Sequence, residues 1–203
     1  MTLNNEKQKI SYIIGENIGR SLVKDGYEVD IDILVSAIKD SVKGIDESGM
    51  TLEEKQECVR NWQAAEAVKQ TASSSKAKEE GEAFLQRNKE QDKDVVETST
   101  GLQYKVLKEG TGKKPKATDN VHVHYHGTLI NGEVFDSSVE RKEPISFPLN
   151  QVIAGWTEGL QMMPVGSKYR LFIPSHLAYG DQNVGSIPAG STLIFDVELL
   201  DIK

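Results

Sequence analysis

A chain of 203 residues is long enough for one large domain or two small ones, and its 37% apolar and 27% charged residues are ordinary for a globular protein. A formal net charge of −7 with no dense Lys/Arg cluster leaves no electrostatic footprint for nucleic acid, and no apolar run approaches the roughly 18 residues of a membrane span. The single Cys58 excludes an internal disulfide and fits a reducing compartment. Glu6, Lys7, Lys9, Glu16 and Arg20 interrupt any leader-like apolar stretch near Met1, so the expected setting is cytoplasmic, with neither nucleic acid nor membrane as a partner.

Punctuation residues are unevenly spread. All six prolines lie at or beyond Pro115 and eleven of the seventeen glycines lie beyond residue 100, so the chain changes from helical to strand period near residue 96. In the first part, Ile10, Ile13, Ile14, Ile18 and Leu22 recur at three- and four-residue steps on one helical face. Gly15 and Gly19 give that helix a strip without side chains. Each weakens an isolated helix by roughly 1 kcal/mol, which points to close approach of another backbone, in the same chain or in a second copy. A second helix starts from Asp30 as N-cap, carries Ile31, Leu34, Val35, Ile38 and Val42, and stops at Gly44.

Thr51 and Glu54 form a capping box that opens a third helix. Leu52, Val59, Trp62 and Val68 stripe its first half, but from Gln70 to Lys93 the only sizeable apolar residues are Phe84 and Leu85. Ala72, Ala77 and Ala83 keep helix propensity high while offering little to bury. The pattern predicts a long exposed stalk over about 51–93, with a flexible linker from Ser73-Ser74-Ser75 as the competing reading. So thin a helical core predicts a homodimer held by residues 1–70, with 71–96 as the distal part of the connecting helix.

From residue 97 the pattern is β. LQYKVL, NVHVHYHGTL, EVFDSS, ISFPL, KYRLFIP and TLIFDVELLDI read as strands, Asn131-Gly132 as a hairpin turn, and QVIAGWTEGLQ as the one helix. The expected fold class is α+β: a helical amino-terminal part and long connecting helix, then an antiparallel sheet half-wrapped around one short helix over 97–203. Within NVHVHYHGTL, His122, His124 and His126 share a strand face. Spaced about 7 Å apart, they cannot easily clasp one ion at bonds of about 2.1 Å, so they are expected on the solvent side with no metal.

The second part carries a resemblance. Tyr125-His126-Gly127, Val134-Phe135-Asp136-Ser137-Ser138, Val152-Ile153-Ala154-Gly155-Trp156, Ala178-Tyr179-Gly180, Ile187-Pro188 and Phe195-Asp196-Val197-Glu198-Leu199 follow in order with the spacing of an FKBP-type peptidyl-prolyl isomerase domain. More loosely, SYIIGENIGRSLVKDG and the long helix resemble the dimerisation region of the macrophage infectivity potentiator subgroup. The implied activity is rotation about X-Pro bonds in unfolded or partly folded proteins, with accompanying chaperone activity. A weakly active or inactive FKBP-shaped binding module serving as a holdase or adaptor is the alternative.

The residues offer no GxSxG, CxxC or HExxH, and Gly110-Thr-Gly-Lys113 lacks the spacing of a phosphate loop. A prolyl isomerase needs none of these and no cofactor. The barrier to rotation is about 20 kcal/mol because resonance stiffens the amide; the twisted transition state has lost that resonance, and an apolar pocket favours it over the planar ground state. By the resemblance, Trp156 is the floor, Tyr125, Phe135 and Phe195 are walls that turn ring edges to the carbonyl, and Tyr179 donates its hydroxyl. Ile153 offers its backbone N–H, Asp136 orients, and Val152, Ile187, Ile145 and Phe147 complete the substrate-binding surface.

Read without the resemblance, such a cluster is a core, and Asp136 before two serines is a turn residue. The joint presence of Tyr125, Phe135, Asp136, Trp156, Tyr179 and Phe195 favours the active enzyme. Two departures, a short GDQNVGSIP lip and Ile145 where the family often has an aromatic, bear on macrolide ligands such as rapamycin, which the resemblance otherwise implies.

Overall fold

The structure, a computed structural model, describes residues 2–24 and 26–203. Met1 and Asp25, the latter inside the SYIIGENIGRSLVKDG stretch, lie outside the described residues. Its contacts divide the chain into two units, Met1–Val59 and Arg60–Lys203.

The first unit is helical. Helix α1 spans Glu6–Lys24, α2 spans Ile31–Lys43, and α3 begins here and runs over Leu52–Gln91. The Asp30 carboxylate accepts from the N–H groups of Asp32 and Ile33, and Gly44 closes α2 at φ 72, a left-handed conformation that suits glycine. At the start of α3, Glu54 N–H donates to Thr51 Oγ1 at 3.2 Å while Thr51 N–H donates to Glu54 Oε2 at 2.7 Å, the expected box. Asp46, bonded by Lys55 and then Ser48, has its carboxyl lowered to about 2, so the α2–α3 connection is ionised over the whole physiological range. Among the described residues α2 has no buried member, and no described atom beyond its own helix backbone lies within 4 Å of where Gly15 or Gly19 would carry a Cβ.

The second unit is built on one antiparallel sheet. Its strands are β1 Val95–Glu97, β2 Gln103–Lys108, β3 Asn120–Leu129, β4 Val134–Ser137, β5 Ile145–Pro148, β6 Lys168–Ile173 and β7 Leu193–Ile202. The order is β1-β2-β6-β7-β3-β4, and β5 also pairs with β3. The β3 edge is therefore shared: β5 pairs its first half, at Asn120–Val123, and β4 its second half, at His126–Thr128. Two short helices complete the unit, α4 Ser138–Arg141 and α5 Ala154–Met162.

Alternation along β3 and β7 makes the core. Val121, Val123, Tyr125 and Leu129 are buried with Phe195, Val197 and Leu199. Helix α5 covers this face through Trp156 and Leu160, and Gly159 lets it settle: a Cβ there would lie 2.7 Å from Leu171 Cδ1. The Asn131-Gly132 turn is longer than a two-residue hairpin. Leu129 N–H donates to Glu133 O at 2.9 Å, and Gly132 at φ 87 takes the left-handed position of a three-residue loop.

The distal half of α3 is not the exposed stalk that its composition suggests. The helix is continuous through Ser73-Ser74-Ser75, but Ser74, Gly81 and Leu85 are buried against the sheet unit. The reason is the kind of contact. Ser74, Lys78, Gly81, Leu85 and Asn88 recur at four- and three-residue steps, and four of the five dock without a large apolar group. Gly81 leaves room for Thr192, Phe84 meets Phe172 with ring centroids 6.0 Å apart, and Asn88 Nδ2 donates to Gln103 Oε1 at 3.0 Å. Gln103, fully buried, also donates to Leu85 O at 2.9 Å, so its amide is satisfied at the helix–sheet contact.

Candidate active site

The strand pairings bring the sequence-predicted residues to one place. Tyr125 on β3 and Phe195 on β7 lie on the same buried face, because Gly127 is the register partner of Phe195 and Tyr125 that of Val197. Phe135 and Asp136 come from β4, Ile145 and Phe147 from β5, and Val152, Ile153 and Trp156 from the entry into α5. Tyr179 and Ile187 come from the segment between β6 and β7. All eleven line a single open cleft of about 660 Å³.

The rings meet edge to face. Trp156, 5% exposed, has Tyr125 at 5.3 Å and 79° and Phe195 at 5.1 Å and 83°, while Phe147 lies tilted at 5.3 Å. Phe135 meets Phe195 at 5.3 Å and 81°. Such pairs add about 0.5–1.5 kcal/mol each beyond burial and fix which ring edges face the cleft. Gly127 makes the packing possible, since a Cβ there would sit 2.7 Å from Phe135 Cε2 and 2.8 Å from Phe195 Cε1.

A hydrogen-bonded network built on a carboxylate lies on one wall. The Asp136 carboxylate accepts from the Tyr125 hydroxyl and from Arg141 Nη1, and Arg141 Nη2 donates to the Tyr125 hydroxyl oxygen at 3.0 Å. Burial alone would push the Asp136 carboxyl up, but the Tyr125 hydroxyl and the Arg141 guanidinium outweigh it and hold the group below its ordinary value of 3.8. Burial, reinforced by Asp136, raises Tyr125 above its ordinary 10.0. The wall thus holds an ionised carboxylate and a protonated phenol at neutral pH.

Arg141 was not among the residues expected from sequence. Its signal is present: Ser137 and Glu140 have the spacing of a capping box, and Ser137 Oγ accepts from Glu140 N–H at 3.2 Å to start α4. That single turn carries Arg141 back over Tyr125, 5.8 Å from the ring centroid. Gln151 also lines the cleft without having been singled out, and Val184, Gly185 and Ser186 line it from the GDQNVGSIP lip. The histidines of β3 lie on the opposite face, each with Nδ1 against a serine Oγ: His122 with Ser146 at 2.8 Å, His124 with Ser138 and His126 with Ser137, both at 3.0 Å.

A cleft of this construction can be compared with known proteins. The family described as FKBP-type peptidyl-prolyl cis-trans isomerase matches residues 111–200, and the domain amino-terminal to it in that family matches residues 7–106. An FKBP-type peptidyl-prolyl cis-trans isomerase FkpA of Aeromonas hydrophila is 45% identical over 97% of this chain and 76% of its own length. The chain belongs to the FKBP-type peptidyl-prolyl cis-trans isomerases. The FKBP-type 22 kDa isomerase of Escherichia coli is 43% identical over 99% of this chain and 98% of its own. The crystal structure of Escherichia coli FkpA covers 100% of this chain and 99% of that one, with a TM-score of 0.69 and 36% identity.

In this FKBP-type isomerase the two departures from the family's pattern fall on the rim. Ile145 is 41% exposed at the mouth of the cleft, and the GDQNVGSIP lip closes on itself through Val184 and Ile187, whose N–H and C=O groups pair at 2.9 and 3.0 Å. The ring cluster beneath them is complete.

Proposed function

We propose that the cleft binds the proline of an X-Pro segment over Trp156 and lowers the rotational barrier without covalent chemistry. The single observation that carries this is the convergence of all eleven sequence-predicted residues on one largely apolar cleft, in which Asp136, paired with Arg141 behind it, is the one charged lining side chain among the described residues. Tyr125, Phe135 and Phe195 present ring edges, which carry partial positive charge, to the carbonyl oxygen that swings out of plane. Tyr179, half-exposed at the rim, donates its hydroxyl to a substrate carbonyl, and Ile153, at the N-cap of α5, presents its backbone N–H. Asp136 and Arg141 keep Tyr125 and the rings around it in place. Val152, Ile187, Ile145 and Phe147 shape the walls for the residues flanking proline.

The same reading assigns residues 1–70 to a dimer interface of the macrophage infectivity potentiator type. Ile10, Ile14 and Ile33 are exposed in the single chain at 57%, 55% and 67%, and the strip at Gly15 and Gly19 is open to a second backbone. Two catalytic units in one molecule raise the avidity for a large unfolded client, which supports a chaperone role alongside isomerisation. Macrolide ligands such as rapamycin would compete with substrate for the cleft. The free, exposed Cys58 supports a cytoplasmic setting.

The test of the pocket is substitution in the full chain. Asp136→Ala removes a charge-assisted bond of about 1.5–3 kcal/mol from the wall and is expected to lower kcat/KM on an X-Pro peptide by roughly ten- to a hundredfold. Phe195→Ala is expected to do at least as much. Undiminished activity in both variants, with their folds intact by circular dichroism, refutes the assignment.

A further inference from the structure

One side of the cleft has no strand behind it. Tyr179, Val184, Gly185, Ser186 and Ile187 belong to the segment 178–190, which shapes itself by turns: Gly180, Gly185 and Gly190 all have positive φ, at 59, 59 and 80. Its base is closed by Gly190 N–H donating to Gly180 O at 2.8 Å. Helix α3 lies under that base. Ser74, 3% exposed, donates its hydroxyl to Asp181 Oδ1 at 2.5 Å, and Lys78 Nζ, one turn further on, stands 2.6 Å from the same oxygen. Gly190 packs so close to the Ser74 carbonyl that any Cβ there would collide with it. One helical turn therefore grips the segment at both ends, at Asp181 and at Gly190.

Helix α3 is attached at other points as well. Gly81 against Thr192, Phe84 against Phe172 and Asn88 against Gln103 already dock the helix elsewhere on the sheet unit. The contacts of Ser74 and Lys78, by contrast, go to the lip, and Asp181 stands two residues from Tyr179. Lys78 and then Ser74 also hold the Asp181 carboxyl below its ordinary value, so both bonds are charge-assisted at neutral pH.

We propose that Ser74 and Lys78 are positioning residues of the active site: by holding Asp181 they set the lip that carries Tyr179 and Val184–Ile187, and with it the pocket's hold on the residues flanking proline. The inference rests on the catalytic reading of the cleft. On this account α3 is part of the substrate-binding apparatus and acts through the lip without touching substrate.

The test uses the full chain and two X-Pro peptides, one with Leu and one with Ala before proline. Asp181→Ala should raise KM for the Leu peptide about three- to tenfold while kcat stays within about twofold, and should shrink the Leu-over-Ala preference. Amide hydrogen exchange should quicken over residues 179–190 and stay unchanged in β3 and β7. The reversed pair, Lys78→Asp with Asp181→Lys, should bring KM back to within about twofold of the parent, which ties the effect to the pair, while the split between KM and kcat and the changed peptide preference are what a merely structural role would not produce. An active parent with KM and preference unaltered in Asp181→Ala overturns this inference alone, as does a reversed pair that fails to restore a raised KM. A parent without isomerase activity overturns the catalytic reading and this inference together.

Discussion

Asp136 and Tyr125 form a pair whose protonation states are pinned in opposite directions, and the consequence is a pH profile. Asp136, held below its ordinary value of 3.8, contributes stability that is present above that value and lost as pH falls through the lower folded value. Tyr125, raised above 10.0, keeps its proton and its donor role until the medium is strongly alkaline. Among the described residues no histidine lines the cleft. Isomerase activity should therefore be flat between about pH 5 and pH 9, measured as kcat/KM on a peptide whose own groups do not titrate there. An inflection near pH 6 to 7 would mean that a histidine takes part. At this scale the strand period places Tyr125 and Phe195 on their strands, but their roles, like those of Tyr179 and Ile187 in a segment without period, come with the resemblance to the FKBP-type family. Arg141 escaped because one turn of helix after Asp136 is too short to register as periodicity, and only the Ser137–Glu140 cap marks it.

Among the elements, strands β3 and β7 show the expected alternation of buried and less buried residues, and the shorter strands and helix α5 fall where the turn residues bracket them. The sequence misleads at α3, where a search for large apolar residues finds a polar helix, whereas the contact is made by a serine, a glycine and an asparagine with Phe84 and Leu85. Close approach of backbones needs small residues, and small residues leave no hydrophobic signal. Gly81 is the sharpest case, because its missing side chain is the space Thr192 occupies. Replacing it with Leu should raise the intrinsic helix propensity of α3 and yet destabilise the protein by about 1–3 kcal/mol through overpacking. Urea denaturation would show this as a lower midpoint at unchanged slope. A stabilised variant would mean that α3 does not dock where Thr192 lies.

For the whole molecule, the first unit leaves its apolar faces uncovered in a single chain, and a second copy is the simplest way to cover them. The full chain should have twice its formula mass of 22.5 kDa by light scattering, while a fragment of residues 70–203, which retains the docked part of α3, should be monomeric. A monomeric full chain would contradict the assignment of Gly15 and Gly19 to a dimer contact. On the proposed reading of the cleft, its edge-on rings and ionised wall lower the barrier of an X-Pro bond without covalent chemistry. The most direct measurement is exchange NMR on a short X-Pro peptide with the full chain present in catalytic amount. The cis and trans signals should exchange many times faster than the tens of seconds or more of the free peptide, and the enhancement should disappear in Phe195→Ala. Exchange unchanged even at stoichiometric protein would contradict the account.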